Sequence, residues 1–307
     1  ESNATSADLG LKYTNNEVCY PATLVVGDFI KALSSGKYDL KHTATVITQT
    51  GGQCRASNYL CLIKRALVEA GYKDVPVISL ALSKSLKKEQ EGFSINWLKI
   101  ARITVVTMLY SDALSKLYHA TAVRETKKGI AKELKEKYLE LAKPIIEANR
   151  PSGLFKLLKE AVKDFSAAAK PDVKLPQVGI VGEIYLKFNS FAHKNITGWM
   201  MEHGIEVIPP NLANFFLQNF VNRLTNRKLF LDRGDKFPGL LVSFVYNWIT
   251  KQIIKIDNIC EQFAYYIPSD DVFEEAKNGR EVINMAAQFG EGWLLPAEIV
   301  TFAKAGI

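Results

Sequence analysis

The sequence predicts an α/β fold: two Rossmann-like or flavodoxin-like parallel-sheet lobes with a helical middle segment. Three observations lead there. Between Ala44 and Leu80 a β-branched run, a glycine-rich turn, a helical stretch and a second β-branched run follow one another. From Asn96 to Ala169 no strand-like run occurs. After Lys170-Pro171 the alternation of strand and helix resumes. Strands joined through a helix run parallel with a right-handed crossover, because a right-twisted strand feeding a helix packs back onto the sheet only that way.

The opening Ser2-Asn3-Ala4 reads as a tag remnant, outside the fold. Cys19 to Leu33 is helical, with Leu24, Val25, Phe29, Ile30 and Leu33 at helical spacing and Gly36 where a C-terminal glycine cap belongs. Ala44 to Thr48 is a buried strand, rich in β-branched residues that pack well on a pleated surface. Gln49 to Cys54 is a glycine-rich turn, Arg55 to Ala70 a helix closed by Gly71, and Val75 to Leu80 the next strand. Trp97 to His119, Lys127 to Ala148 and Gly153 to Ala168 read as helices. Then come a strand at Gln177 to Val181, a helix at Ile196 to His203, and a strand at Ile205 to Ile208 that stops at Pro209-Pro210. Leu212 to Arg223, Gly239 to Ile259, Asp271 to Ala287 and Pro296 to Lys304 are helical. The predicted domains are 1–95, 96–170 and 171–307, the last truncated at its C-terminal end. The chain stops at Ile307, where such a pattern normally turns into another strand, so it reads as a piece of a longer polypeptide.

The chain has 307 residues, 48% hydrophobic and 23% charged, enough to bury a core without disulfide staples. A net charge of +7 favours polyanions in general, including phosphorylated cofactors. The basic residues of Lys127 to Lys143 alternate with Glu, however, as on a solvated helix face, and no RNA-recognition or helix-turn-helix signature is present, so nucleic acid is not an expected partner. Four irregularly spaced cysteines make no disulfide framework and point to a reducing, cytoplasmic setting. Asn247, Lys251, Gln252, Lys255 and Asp257 interrupt the apolar stretch Leu240 to Ile259, so no membrane span is expected there.

Cys54 follows two glycines after a strand and opens a helix. Helix N-terminal amides stabilise a thiolate, and Arg55 adds positive charge, so Cys54 is either a nucleophile or metal ligand, or a small buried hydrophobe. Gly51 and Gly52 form a turn whose amides suit a phosphate. Cys19 begins a helix beside Pro21; Cys61 lies seven residues after Cys54 and reads as core; Cys260 reads as structural. Glu183 ends a strand, where it faces either a site or solvent. Asn189, His193 and Asn195 follow in the same loop, and Glu291 either contacts a ligand or caps a helix. No Ser-His-Asp or HExxH constellation is present.

Four segments, Asn15-Asn-Glu-Val-Cys-Tyr-Pro-Ala22, Ile47-Thr-Gln-Thr-Gly-Gly-Gln-Cys-Arg-Ala-Ser-Asn-Tyr59, Gly179-Ile-Val-Gly-Glu-Ile184 and Gly290-Glu-Gly-Trp-Leu-Leu295, carry a resemblance along nearly the whole chain. They resemble the C-terminal, dehydratase-like region of the large 2-hydroxyacyl-CoA dehydratase activase-related proteins. That region is similar to the subunits of 2-hydroxyglutaryl-CoA dehydratase. The resemblance implies α/β lobes around a [4Fe–4S] cluster held by three cysteines, reduced by an ATP-hydrolysing activator, and elimination of water from a 2-hydroxyacyl-CoA through a ketyl radical. Cys19 and Cys54 match the cysteine-bearing motifs, with Gly51, Gly52, Arg55 and Glu183 as cofactor-binding candidates. The family's further cysteine-bearing turn has no counterpart before Ile307, and its ATP-binding lobes are absent, so this piece alone is expected to be inactive and to lack a complete cluster site. Expected partners are acyl-CoA or activator domains of the same long polypeptide. Two other readings stay open: a docking module for a CoA dehydratase or its activator, and an α/β enzyme using Cys54 as nucleophile.

Overall fold

The computed structural model describes residues 1–15, 17–48, 55–80, 93–231 and 239–307. They form two compact units, one of residues 1–95 with 188–194 and one of 96–187 with 195–307. Among the described residues helix dominates, with two small parallel two-stranded sheets. The fold is therefore α/β in the coarse sense, and each sheet is smaller than the lobes expected from the alternation of elements. No described helix is long and apolar enough to cross a membrane.

The first unit contains α1 (Ala4–Tyr13), α2 (Tyr20–Ser34), β1 (Thr45–Thr48), α3 (Tyr59–Glu69) and β2 (Val77–Leu80). Ser2-Asn3-Ala4 is part of this fold, contrary to the expectation that it lies outside it. Asn3 caps α1 in a reciprocal box with Ser6, satisfying two amides that the first helical turn leaves without partners. Ser2 and Ser6 donate to Asp28 of α2 at 2.5 and 2.6 Å, fastening the helices together. The helices approach so closely that a Cβ on Gly10 would stand 2.0 Å from the Thr23 carbonyl oxygen, and one on Gly27 1.7 Å from that of Ser6. Val26, Ile30 and Leu33 of α2 pack with Leu60, Ile63, Ala66 and Leu67 of α3 and with Val75 and Val77. On that layer β1 and β2 pair in parallel, Thr45 opposite Val77. The expected strand–turn–helix–strand order is thus present at both ends; the turn Gln49 to Cys54 lies outside the described residues. Its helix begins as a 3-10 turn, Arg55–Asn58, before α3.

The second unit begins with α4 (Trp97–Ala122), α5 (Ile130–Glu147) and α6 (Pro151–Ala168). It continues through β3 (Gln177–Gly179), α7 (Ile184–Phe188), α8 (Ile196–Glu202), β4 (Glu206–Ile208) and α9 (Leu212–Lys228). It closes with α10 (Gly239–Cys260), α11 (Val272–Gly279) and α12 (Leu294–Ala305). One core runs from Val106, Leu114 and Leu117 of α4 through Leu158 and Phe165 of α6 to Ile256 of α10 and Trp293. The helical segment 96–170 and the strands after it therefore share one unit. Arg124, just past α4, forks onto Glu206 of β4 at 3.0 and 2.8 Å, both side chains almost wholly buried. Tyr265 stacks under the guanidinium at 3.9 Å and donates to the Lys170 carbonyl. The expected helix Asp271 to Ala287 is shorter: α11 ends at Gly279, and the chain then turns through Gly290 at φ +59. Gly292 is required there, since a Cβ would stand 2.1 Å from the Ala287 carbonyl oxygen. That close turn is what seats Trp293 in the core, its indole N–H donating to Asn222 at 2.6 Å.

Candidate functional site

In the first unit, Cys19 is the N-cap residue of α2, in extended backbone, with no side chain capping the helix. Pro at the first turn fixes the chain direction there. The Cys19 thiol lies 2.9 Å from the Tyr59 hydroxyl, in hydrogen-bond contact, and is partly exposed. Tyr59 opens α3, five residues after Cys54 in sequence. Cys19 of segment 15–22 and Tyr59 of segment 47–59, forty residues apart in the chain, thus meet at the starts of two helices. Gly51, Gly52 and Cys54 lie outside the described residues; Arg55 opens the 3-10 turn, and its side chain is also outside them. Cys61 is exposed, which corrects its reading as core: α3 buries Leu60, Ile63 and Leu67, and Cys61 falls on the other face. Tyr59 as a partner of Cys19 carried no sequence signal, because the two lie forty residues apart with no motif linking them.

In the second unit, the other two segments also meet. Glu291 accepts a 2.5 Å hydrogen bond from the Ile184 amide, and Glu183 accepts from the Leu186 amide at 3.0 Å. Both carboxylates thereby cap α7, where free amides and the helix dipole favour negative charge. Glu291 does cap a helix, as one of its two readings had it, but not the helix it precedes. Burial, with the Glu183 charge adding to it, raises the Glu291 pKa. The loop 182–195 is divided: Asn189 belongs to the first unit, where it donates to Ser2 at 2.9 Å and accepts the Ala192 amide, and His193 follows there. Asn195 belongs to the second unit and precedes α8 in a left-handed conformation, φ 52. Lys187 of α7 is buried and forks onto Glu298 of α12 at 3.0 and 3.1 Å.

A cavity of about 120 Å³ lies in the second unit along β4 and past its C-terminal end, beside Ile180 just after β3. That is where loops converge on ligands in parallel sheets. Ile180, Val207, Pro209 and Phe302 supply an apolar wall, and Lys116, Asp270, Glu275 and Glu298 supply charge. Lys116 donates to the Ile267 carbonyl at 3.1 Å and to Ser269 at 2.9 Å. Burial lowers its pKa, with Asp257, Asp112 and Asp270 pulling the other way. Burial pushes Glu275 up to about 8, with the Glu298 and Asp270 charges adding to it. One Glu275 carboxyl oxygen is buried without a hydrogen-bond partner among the described residues. Asp112 is likewise raised by burial, to about 6, although it accepts the Leu212 and Ala213 amides at the start of α9. Cys260, structural as read, is fully buried beside this cluster, its thiol pushed up to about 12 by burial. None of these charged residues was singled out by sequence, because α4, the 267–270 stretch, α11 and α12 supply them from distant positions with no local motif.

Among the described residues no group of three or more His, Cys, Asp or Glu is arranged to hold a metal ion. No protein-family model, curated protein or solved structure matches the chain.

Proposed function

We propose that the chain is an iron–sulfur dehydratase-like domain of a CoA-linked system related to the 2-hydroxyacyl-CoA dehydratases and their activases. In this reading it contributes to cluster binding and electron transfer within a longer, cytoplasmic polypeptide. The observation that carries the reading is that described residues of the four resembling segments meet in pairs. Cys19 meets Tyr59 in one unit, and Glu291 meets Ile184 in the other. Segments that meet in the fold are what one family's site motifs would be, and unrelated chance matches have no reason to pair.

The donor set fits the group in part. Thiolates are the normal ligands of iron–sulfur iron. Cys19, partly exposed at an uncapped helix start, suits a ligand, and Cys54 would be the second. Cys61, facing outward along α3, and Cys260, buried in the second unit, do not suit a third. When bound, the cluster would supply one-electron transfer, and Cys19 at the start of α2 would be one of its ligands. In the same reading the two parallel strand pairs are the centres of flavodoxin-like lobes, and the partners are acyl-CoA or activator domains rather than nucleic acid. The test is anaerobic reconstitution of a version extended past Ile307, followed by iron and sulfide analysis. Iron near four per chain, lost in Cys19→Ser and in Cys54→Ser, is expected on the family pattern. A well-folded, iron-free extended protein refutes the reading.

A second reading, a docking module for a CoA dehydratase or its activator, draws on the exposed apolar residues flanking the α9–α10 connection. Phe230 and Leu240 are each 87% exposed and Phe244 70%. Apolar surface of that kind marks interaction sites. Co-purification with such an enzyme, abolished by Phe230→Ser with Phe244→Ser, is the expected result; an unchanged yield counts against it.

A further inference from the structure

The cavity beside β4 has more carboxyl groups than cations to pair them. Each charged group around it has a definite partner, with two exceptions. Glu206 is paired with Arg124, and Glu298 with Lys187. From α4, Asp112 accepts two backbone amides. From α10, Asp257 accepts the Tyr266 hydroxyl at 2.6 Å. Lys116 gives hydrogen bonds to Ile267 and Ser269 and is shared electrostatically among Asp257, Asp112 and Asp270. The exceptions are Asp270, drawn to Lys116, and Glu275, which has a hydrogen bond from Asn214 and a weak attraction to Lys187 but keeps one orphaned oxygen beside Glu298 and Asp270. A buried carboxyl in that position either keeps a proton or takes a cation, because an uncompensated buried charge is costly.

We propose that this cavity binds a small organic ammonium ion, its head group on Glu275 and Asp270 and its alkyl end against Ile180, Val207 and Phe302. An ammonium group has three donors, which can serve the unpartnered Glu275 oxygen and the Asp270 carboxylate together. The volume of about 120 Å³ is close to that of an engineered cavity of about 150 Å³ that holds benzene, so the occupant has about four to six heavy atoms. An anion is disfavoured: the hydrogen bonds of Lys116 already go to protein oxygens, and three carboxylates surround it. A hard metal cation needs six or more oxygens, and the opposite wall is apolar. The inference does not depend on the iron–sulfur reading, whose cysteines lie in the other unit.

The experiment is a ligand-observed NMR titration of the 307-residue chain with n-propylammonium chloride, and separately with sodium butyrate as the anionic counterpart. Propylammonium binds saturably with a Kd on the order of millimolar, as expected for so small a ligand; butyrate does not bind. Glu275→Gln weakens the ammonium complex by roughly thirtyfold, the loss expected for one member of a buried charge pair. Binding displaces the Glu275 proton, so affinity rises about tenfold between about pH 7 and about pH 9. No saturation by propylammonium, saturation by butyrate, or unchanged binding in a folded Glu275→Gln protein overturns the proposal. If Glu275→Gln does not fold, Asp270→Asn is judged by the same criteria.

Discussion

Replacing Glu275 by Gln should make the protein more stable at alkaline pH and leave it nearly unchanged in acid. The carboxyl titrates near 4.5 when exposed and near about 8 in the fold, because burial and the neighbouring Glu298 and Asp270 charges oppose its ionisation. Below 4.5 both states are protonated and the group contributes nothing to the pH dependence. Between the two values the folded protein holds a proton that the unfolded chain releases, so stability falls as pH rises. At about 1.4 kcal/mol per pH unit, the interval from 4.5 to about 8 corresponds to a loss of about 5 kcal/mol by alkaline pH. Water reaching the carboxylate would reduce that figure, and a loss of at least about 2 kcal/mol is expected between about pH 5 and about pH 9.

Glutamine has the same shape and no proton to lose, so the variant lacks this loss. The difference between wild type and Glu275→Gln isolates the group, since the other raised carboxyls, Asp112, Asp270, Glu291 and Glu298, titrate in both proteins. The assay is urea unfolding of both proteins at several pH values, free of added amines. The gap should open steadily toward alkaline pH in favour of glutamine. A gap that stays constant within about 0.5 kcal/mol across the range would mean that Glu275 is ionised and well paired, and the charge argument for the cavity would fail with it.

Three further outcomes follow from the packing. Gly27→Ala puts a methyl 1.7 Å from the Ser6 carbonyl oxygen and must part α1 from α2; a loss of about 3 kcal/mol in urea unfolding is expected, and a neutral result would contradict the close helix crossing. Arg124→Met leaves Glu206 buried without its cation and should lose about 3–5 kcal/mol, with Glu206→Gln added to it restoring part of the loss. Thiol alkylation at neutral pH, mapped by peptide mass, should modify Cys61 readily and Cys260 on the order of a thousandfold more slowly, because the one is exposed and the other is buried with its thiol raised to about 12.

The parts of this fold that were readable in the sequence are those with a dense local code. The β-branched run at Thr45 to Thr48 and the long apolar periodicity of α4 and α10 specify their elements by residue type and spacing. Helix α7 has five residues, too few for a period, and is fixed by carboxylates of which one is over a hundred residues away. Helix α1 was hidden because the residues that cap and fasten it, Ser2, Asn3 and Ser6, have the composition of an unstructured leader. Cys61 shows a legible case read wrongly: Leu60, Ile63 and Leu67 at i, i+3 and i+7 already define the buried stripe of α3, and Cys61 lies off it. The cavity charges had no such code, since their significance arises only where distant helices bring them together.

The two candidate sites follow opposite electrostatic logic. In the second unit the start of α7 is already filled by Glu183 and Glu291, so its amides are satisfied by the chain itself. Nearby, the carboxyl groups of Asp270 and Glu275 are only partly compensated, and a cation would complete that cavity. In the first unit the start of α2 has no side-chain cap, and the residue placed there is Cys19. Its amides favour a negative group, which a thiolate or a thiolate-held cluster supplies. The cavity thus calls for a cation and the start of α2 for a negative group. Cys19→Ser should therefore leave ammonium binding intact, and Glu275→Gln should leave the iron content of the extended protein intact; a loss in either crossed measurement would mean that the two sites are not separate.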